Sequence, residues 1–412
     1  MPVPGASFGD NGGMTSASYS SAAAEPFEGL RIRGVAKTFG TDTTVLNEID
    51  LDVHPGELIS LVGSSGTGKS TLLRIIAGLE EPSAGRVTYA GQPLERGSVG
   101  VVFQRPILYP HLSVKDNILF PTRLGAFAGQ VDMDYYRELL EALKLEGLES
   151  RKPSQLSGGQ AQRVGIARAL IRRAPVVLFD EPLASVDEQM SASIRADIVR
   201  LHERYGFTGL YVTHDQNEAL MLGQRVAVMD AGYLVQVDTP ERLLAHPHTL
   251  QVAKLLAAPA LNLLALEDSE SLPAGCELAI RATALHPVAA DAAHALPVQV
   301  LGCRHLVGGM LYRGRLLEAV SLPLKSPRAQ TETELSAHLK SPRAQTETEL
   351  SAQMYARVRA GQELEFFIPD AQGATLSGTS PNSTFLSVGE RVHLGVAAER
   401  CFLFSGGKRF YL

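Results

Sequence analysis

The segment LISLVGSSGTGKSTLL, residues 58–73, constrains the fold of this chain more than any other stretch. An apolar run typical of a buried strand leads into a glycine-rich loop, and a helical pattern follows at once. This context indicates a P-loop, because glycines let the backbone approach phosphates closely and the helix N-terminus adds a positive dipole. In such a loop a lysine reaches the β- and γ-phosphates and a serine hydroxyl binds Mg²⁺. The residues that form the pattern are Gly63, Gly66, Gly68, Lys69 and Ser70.

A second segment, VVLFDEP at residues 176–182, supplies the acidic groups that a P-loop needs. Asp180 ends an apolar run, so its carboxylate lies where the strand leaves the core and can hold Mg²⁺, usually through water. Glu181 follows and can polarise an attacking water molecule. Carboxylates at strand ends are often only helix caps. The combination with a P-loop favours the catalytic interpretation.

From about Leu30 onward, short β-type runs alternate with helical patterns, which predicts an α/β fold with a mainly parallel sheet and helices on its faces. Between Val114 and Ser157 the helical spacing of MDYYRELLEALKL predicts an inserted helical subdomain. From about Ala260, short alternating segments with Gly and Pro breaks predict a small β-barrel or sandwich. The strand-like runs of the first part are LRIRGV, LISLVG, VGVVFQ, APVVLFD, GLYVTH and QRVAVMD.

Length and composition narrow the class of protein. A chain of 412 residues is too long for one ordinary core, and its net charge of −6 gives no general attraction to nucleic acid, which we do not expect as a partner. Three cysteines without metal-ligand spacing fit a reducing compartment. The apolar runs fall short of the ~18 residues that cross a bilayer, and residues 1–28 resemble a flexible tail more than a signal peptide. We therefore expect a protein that stays in the cytoplasm.

A tandem repeat of 15 residues occupies positions 325–354, as KSPRAQTETELSAHL followed by KSPRAQTETELSAQM. Two copies are fewer than the three units that a solenoid needs. A duplicated surface loop is the simpler interpretation, since loops tolerate insertions. A regulatory or partner-docking peptide is the alternative, and no residue in the repeat favours it.

The P-loop, LSGGQ at residues 156–160, VVLFDEP and VTHDQ occur in the order and approximate spacing of ABC transporter ATPases, which this chain resembles from about residue 30 to about 265. The resemblance implies a P-loop NTPase fold with a RecA-like core, and ATP hydrolysis with ATP and Mg²⁺ bound. It predicts an ATPase domain at 29–258, with a helical subdomain at about 105–157, and a β-rich regulatory domain at 259–412. The residues expected to bind ATP are Gly63, Ser64, Ser65, Gly66, Thr67, Gly68, Lys69, Ser70 and Thr71.

Four further positions match the family's motifs. The resemblance implies that Phe39 stacks on the adenine, although a core phenylalanine is the alternative. Gln104 in VVFQ resembles the residue that touches Mg²⁺ and water, so that Ser70, Gln104 and Asp180 form the expected metal set. His214 resembles the histidine that contacts the γ-phosphate and, with Glu181 and Gln104, completes the expected catalytic set. Asp187 resembles the D-loop aspartate, in a segment that departs from the usual Leu-Asp-Ala ending.

LSGGQ resembles the family's signature loop. The resemblance implies that this loop opens a helix facing the γ-phosphate of ATP held by the other subunit's P-loop. A head-to-tail pair then has two composite sites, either in a homodimer or in a heterodimer with another ABC ATPase. The loop residues are Ser157, Gly158, Gly159 and Gln160.

The segment MDAGYLVQVDTPERLLAHPHT and the later β-type runs resemble bacterial importers of the maltose, polyamine, iron and sulfate type, whose regulatory domain is an OB-like barrel. This implies two integral membrane permease subunits, indirect contact with an extracytoplasmic solute-binding protein, and a location at the cytoplasmic face of the membrane. LYPHLSVKDNILFP is most similar to the sugar-importing branch, whereas FQRP lacks the family's usual Ser-Tyr after the glutamine, which leaves the substrate class open. This region is expected to dock a short helix of the membrane subunit.

Two other functions are weighed against import. A soluble ABC ATPase acting on DNA or ribosomes is expected to carry coiled-coil insertions, tandem ATPase domains or basic stretches, and the sequence has none of these. A regulator that binds ATP only to dimerise would not need Glu181 and His214. Import of a sugar or related carbohydrate is the favoured prediction, ahead of polyamine, iron or sulfate.

Overall fold

The computed structural model describes residues 27–40, 42–124, 131–257, 260–267, 276–306, 309–324, 354–369, 386–396 and 401–410. The tandem repeat, apart from its last residue, and nearly all of the predicted N-terminal tail lie outside these ranges. Within them, no helix is long and apolar enough to span a membrane.

The strands up to residue 238 are β1 (Leu30–Phe39), β2 (Thr43–Val53), β3 (Leu58–Val62), β4 (Ala84–Tyr89), β5 (Gln92–Pro93), β6 (Gly100–Val102), β7 (Val176–Asp180), β8 (Thr208–Val212), β9 (Arg225–Asp230) and β10 (Tyr233–Asp238). One sheet has the order β10-β9-β3-β8-β7-β6, and its strands are parallel except for β10. All residues of β3 and β8 are buried. Strands covered on both faces need continuous apolar runs, which explains LISLV and VVLF.

The run LRIRGV does not belong to this parallel sheet, contrary to the interpretation drawn from the alternation of strands and helices. It lies in β1, which pairs antiparallel with β2 and β4 in a separate sheet of order β2-β1-β4-β5. A strand's own residues specify which side chains are buried but not which strand is its neighbour. The parallel prediction therefore holds for the sheet that carries the P-loop and is wrong for β1.

The helices are α1 (Lys69–Ile76), α2 (Val114–Leu119), α3 (Met133–Ala142), α4 (Gly158–Leu170), α5 (Glu188–Tyr205), α6 (Gln216–Leu222), α7 (Pro240–Ala245) and α8 (Leu250–Leu255). Short 3-10 helices cover Phe120–Arg123, Pro153–Gln155 and Ala282–Ala284. The described residues between positions 114 and 157 contain helices and no strand. Side chains of Ser113, Asp132, Ser157 and Asp187 accept hydrogen bonds from the first turns of α2, α3, α4 and α5, which explains where these helices begin.

The rest of the described chain is mostly β-structure. Its strands are β11 (Leu261–Ala265), β12 (Glu277–Arg281), β13 (Leu285–Val288), β14 (Leu296–Leu306), β15 (Gly309–Leu316), β16 (Val320–Leu324), β17 (Met354–Val358), β18 (Glu363–Pro369), β19 (Arg391–Val396), β20 (Cys401–Ser405) and β21 (Lys408–Phe410). They form antiparallel sheets of orders β11-β12-β20-β21, β13-β19-β14-β15-β18 and β16-β17. The OB-like barrel and the domain boundaries stay predictions.

Hydrogen bonds to backbone carbonyls join this β-rich part to the helices that follow the parallel sheet. The buried guanidinium of Arg281 donates to the carbonyl of Leu256 at 2.5 Å and to that of Leu244 at 3.3 Å. The N–H of Leu250 donates to the carbonyl of Gly407 at 2.9 Å. Arg281 therefore joins the end of β12 to the ends of α7 and α8, and the Leu250 bond joins the start of α8 to the β20–β21 hairpin.

Candidate nucleotide-binding site

The carboxyl ends of four parallel strands bring the predicted site residues to one edge of the sheet. Val212 at the end of β8 pairs with Leu61 of β3 on one side and with Asp180 of β7 on the other, while Val102 of β6 pairs with Phe179. The P-loop follows β3, Glu181 follows β7, His214 follows β8 and Gln104 follows β6. Loops at the carboxyl ends of parallel strands are the common place for ligand sites in α/β folds.

The backbone of the P-loop requires glycine at two positions. A Cβ added at Gly63 would lie 2.4 Å from the carbonyl oxygen of Met229, and Gly68 has a φ of 96°, which side chains disfavour. Among the described residues, no side chain caps the N-terminus of α1, which begins directly after Gly68. Its first N–H groups are therefore suited to an anion such as a phosphate group.

Lys69 is held inside the loop that it is predicted to serve. Its side chain amine donates to the carbonyl oxygens of Gly63 at 2.8 Å and Ser64 at 3.0 Å, and the residue is 5% exposed. Burial lowers the pKa of Lys69, while the nearby carboxylates of Glu181 and Asp180 raise it. The amine is thus already within the loop, between its carbonyl groups and the two acids.

The remaining P-loop residues differ in their exposure. Ser64, Ser65, Gly66 and Ser70 are exposed, whereas Thr67 is buried and its hydroxyl donates to the carbonyl of Ser64 at 2.9 Å. Thr71 is half-buried in the first turn of α1. The exposed rim, with Thr67 beneath it, is the surface on which a phosphate chain would lie.

Ser70 and Asp180 provide oxygen atoms of the kind that Mg²⁺ prefers. The Ser70 hydroxyl donates to Oδ1 of Asp180 at 3.3 Å, and burial raises the pKa of Asp180, with the carboxylate of Glu181 adding to the effect. A bound cation would offset the free-energy cost of holding the Asp180 carboxylate in a buried position beside that of Glu181. The described residues contain no cluster of three or more His, Cys, Asp or Glu side chains suited to a metal. This donor set fits Mg²⁺, which is commonly held by one or two protein oxygens together with phosphate and water.

Glu181 and His214 contact each other directly. Nδ1 of His214 lies 3.0 Å from Oε2 of Glu181, so the ring N–H donates to the carboxylate. The backbone N–H of Glu181 donates to the carbonyl of Val212, which ties the first residue after β7 to the end of β8. The Glu181 side chain is 23% exposed and that of His214 is 57% exposed, so both can reach a bound molecule.

Gln104 lies two residues beyond the end of β6, whose last residue, Val102, pairs with Phe179 of β7, and is exposed. The preceding carbonyl, of Phe103, accepts a hydrogen bond at 3.2 Å from the amide of Gln162 on α4. Gln162 is buried. The segment carrying Gln104 is therefore connected to the helix that begins at the LSGGQ loop.

Phe39 is not a core phenylalanine, which was the alternative to adenine stacking. The residue ends β1 and is 43% exposed, and the amine of Lys37 lies 4.9 Å from the ring centroid. Leu46 lies on β2, the strand paired with β1. A Cβ on Gly68 of the P-loop would lie 2.6 Å from the Leu46 side chain, so this strand pair approaches the P-loop closely. An accessible ring is thus present on the hairpin beside the P-loop.

The LSGGQ loop forms a reciprocal helix cap. The Ser157 hydroxyl accepts from the N–H of Gln160 at 3.3 Å, and the Gln160 side chain accepts from the N–H of Ser157 at 3.0 Å. Ser157 and Gly158 are exposed, and a Cβ on Gly158 would meet open space. A Cβ on Gly159 would lie 1.7 Å from the sulfur of Met190 on α5. The loop is therefore preformed, with one open face and one packed face.

Asp187 has a clear local role. Its carboxylate accepts from the N–H of Met190 at 3.0 Å and caps α5, and the residue is exposed. Met190 also packs against Gly159, so the D-loop segment and the LSGGQ loop share one neighbour.

Sequence reasoning missed a buried carboxylate behind His214. Glu218, on α6, is 7% exposed and accepts a hydrogen bond from the hydroxyl of Thr213 at 2.8 Å. A glutamate in an ordinary helix is usually solvated, so the sequence contains no signal that distinguishes this one.

A family model and several known proteins match part of this chain. The family model described as "ABC transporter" matches residues 46–184. Over 241 residues, 57% of this chain, the sequence is 45% identical to the sn-glycerol-3-phosphate import ATP-binding protein UgpC 1 of Rhizobium johnstonii, and the match spans 65% of that protein. It is also 45% identical over 243 residues to UgpC of Yersinia enterocolitica, covering 57% of this chain and 67% of that protein. The solved structure of cbiO1 from Clostridium perfringens aligns with 54% of this chain and 92% of its own at 27% identity, with a TM-score of 0.48.

Proposed function

Because this chain belongs to the ABC transporter family of ATPases, we propose that it is the ATP-hydrolysing subunit of an importer for a sugar or a related polyol. The relatives named for sn-glycerol-3-phosphate import support a polyol over polyamine, iron or sulfate. One observation carries the ATP-hydrolysing role in this proposal. Lys69, the Ser70–Asp180 pair and the Glu181–His214 pair meet at one sheet edge beside an uncapped helix N-terminus.

The chemistry assigned to these residues follows from their positions. The amine of Lys69 exchanges its bonds to loop carbonyls for bonds to phosphate oxygens. Glu181 accepts a proton from the attacking water, and His214 holds the Glu181 carboxylate in place and faces the γ-phosphate. Mg²⁺, when bound, neutralises charge on the phosphates, and Ser70, Asp180 and Gln104 are the residues that would hold it.

The proposed active form is a head-to-tail dimer, a homodimer or a pair with another ABC ATPase. The open face of Ser157 and Gly158 supports this proposal, because an exposed helix N-terminus is suited to phosphate from a second molecule. Each ATP is then held by the P-loop of one subunit and the LSGGQ loop of the other. Hydrolysis depends on closure of the pair.

A groove next to Gln104 is the proposed docking site for a short helix of each of two membrane permease subunits. Its volume is about 330 Å³, and its lining includes Ile107, Tyr109 and Leu124, which are 65%, 39% and 54% exposed. The guanidinium of Arg168, on α4, donates to the carbonyl of Ile107 at 2.6 Å. Movement of α4 when the dimer closes would therefore move the groove lining as well. The proposed location of the docked subunit is the cytoplasmic face of the membrane. A solute-binding protein would act only through the permease subunits.

Co-purification with the permease subunits and binding protein tests the proposal. In vesicles, sn-glycerol 3-phosphate or a sugar should stimulate ATP hydrolysis, whereas spermidine, ferric iron and sulfate should not. Ile107→Glu should lose the permease subunits and keep ATP binding. Leu79→Glu is the matched control, because Leu79 is 50% exposed and lies outside the groove. If the wild-type chain recovers no membrane partner, a soluble ABC ATPase becomes the better assignment.

A further inference from the structure

A buried hydrogen-bond network around the carboxylate of Glu218 lies next to the His214 segment. Oε2 of Glu218 accepts hydrogen bonds from the hydroxyls of Thr213 at 2.8 Å and Tyr211 at 3.2 Å. Oε1 lies 3.4 Å from the guanidinium of Arg195 on α5. Burying a carboxylate is costly unless it is paired and hydrogen-bonded, and Glu218 is both. The network therefore holds the Glu218 carboxylate in one defined position.

The same network fixes the backbone on both sides of His214. The Thr213 hydroxyl donates to Glu218 and accepts from the N–H of Asp215 at 3.0 Å, and the Thr213 N–H donates to the carbonyl of Leu61. Asp215 in turn caps α6 and accepts from the N–H of Glu218. The His214 side chain is more than half exposed, so the imidazole has little packing of its own to hold it.

We propose that Glu218 is a positioning residue, which acts through Thr213 to hold His214 in contact with Glu181. The inference rests on the proposed function, in which that contact serves hydrolysis. Arg195 extends the network to α5, the helix that Asp187 caps. The orientation of His214 thus depends on Thr213 beside it, on Glu218 in α6 and on Arg195 in α5.

Thr213→Val removes the hydroxyl and keeps the shape of the side chain. The expected result is an unchanged Kd for ATP and a fall in kcat of at least about tenfold, because small displacements of a catalytic group are costly. Tyr211→Phe is the matched control, since it removes the other hydroxyl that reaches Oε2 and leaves the Thr213 bond intact. Its kcat should stay within about twofold of wild type.

A double-mutant cycle separates positioning from general structural damage. In a His214→Ala background, Thr213→Val should lower kcat no further, because the residue through which it acts is gone. Glu218→Gln tests the same inference with a second variant. It should lower kcat in the wild-type background and lower it no further in the His214→Ala background. A wild-type kcat in Thr213→Val, or an equal loss in both backgrounds, overturns the inference alone. Absence of hydrolysis by the wild-type chain would overturn the proposed function as well.

Discussion

Glu181 has a φ of 44°, a conformation that non-glycine residues seldom adopt. Such backbone strain persists only where the surroundings hold it, here through the bond from the Glu181 N–H to the carbonyl of Val212. The conformation directs the chain out of β7 at the point where Nδ1 of His214 meets the carboxylate. Strain at this residue is consistent with a catalytic base.

Replacement of Glu181 by Gln should leave ATP binding intact and reduce turnover by at least about 100-fold, because an amide cannot accept the proton. The uncleaved ATP should trap a dimer, which size-exclusion chromatography with ATP would detect. Glu203→Gln, at an exposed position of α5, is the control and should behave as wild type. Near-normal hydrolysis by Glu181→Gln would remove this residue as the base.

Phe39 permits a test of base stacking. Phe39→Ala should weaken ATP binding by about 1–3 kcal/mol, the usual value of one base–aromatic contact, whereas Phe39→Tyr should bind as wild type. Equilibrium titration with ATP and GTP measures both effects, and stacking predicts similar losses for the two nucleotides. An unchanged affinity in Phe39→Ala would place the adenine elsewhere.

Residues in contiguous motifs could be predicted from the sequence, whereas residues joined only by folding could not. The P-loop, Asp180 and Glu181 are recognisable because their spacing along the chain determines their geometry. Glu218 and Met190 are not, because their importance comes from neighbours such as Thr213 and Gly159. The sequence around Glu218 or Met190 does not show which distant residue each of them contacts in the folded chain.

Among the elements, the parallel strands were predictable because burial on both faces requires long apolar runs. Strand β1 was assigned to the wrong sheet because its pattern does not encode its neighbours. The start of α4 at Ser157 follows from local chemistry, since Ser and Gln three residues apart form a reciprocal cap. Element type was thus easier to predict than element pairing.

Helix α5 carries a histidine whose titration should affect stability. Burial lowers the pKa of His202, although its bond to the carbonyl of Gly56 at 2.9 Å opposes this effect. A lowered pKa means that the unfolded chain takes up the proton first as the pH falls below the ordinary value of 6.5. The contribution of His202 to stability is therefore retained at higher pH and lost as acid is added.

His202→Gln should remove this part of the acid sensitivity. The free energy of unfolding of the wild type should fall relative to the variant between about pH 7 and pH 5, as denaturant titrations would show. His111→Gln, at an exposed position, is the control. A difference between wild type and His202→Gln that is constant with pH would contradict the assignment.

For the whole molecule, the proposed dimer depends on one surface, the open face of the LSGGQ loop. Ser157→Arg places a long cation on the open face of the LSGGQ loop, so ATP should still bind to each P-loop while ATP-dependent dimerisation is lost. Ser154→Arg adds the same side chain to an exposed position three residues earlier and should dimerise normally. Light scattering with and without ATP distinguishes these outcomes. A Ser157→Arg variant that still dimerises would argue against the role of this loop.

Complementation between two inactive variants tests the composite site most directly. Ser157→Arg keeps its P-loop, and Lys69→Ala keeps its LSGGQ loop, so only a mixed dimer contains one complete site. The mixture should regain part of wild-type hydrolysis, because a mixed dimer joins the P-loop of the Ser157→Arg subunit to the LSGGQ loop of the Lys69→Ala subunit in one complete site. Each variant alone should be inactive. Activity in the mixture no greater than the sum of the two variants would contradict a site shared between two subunits.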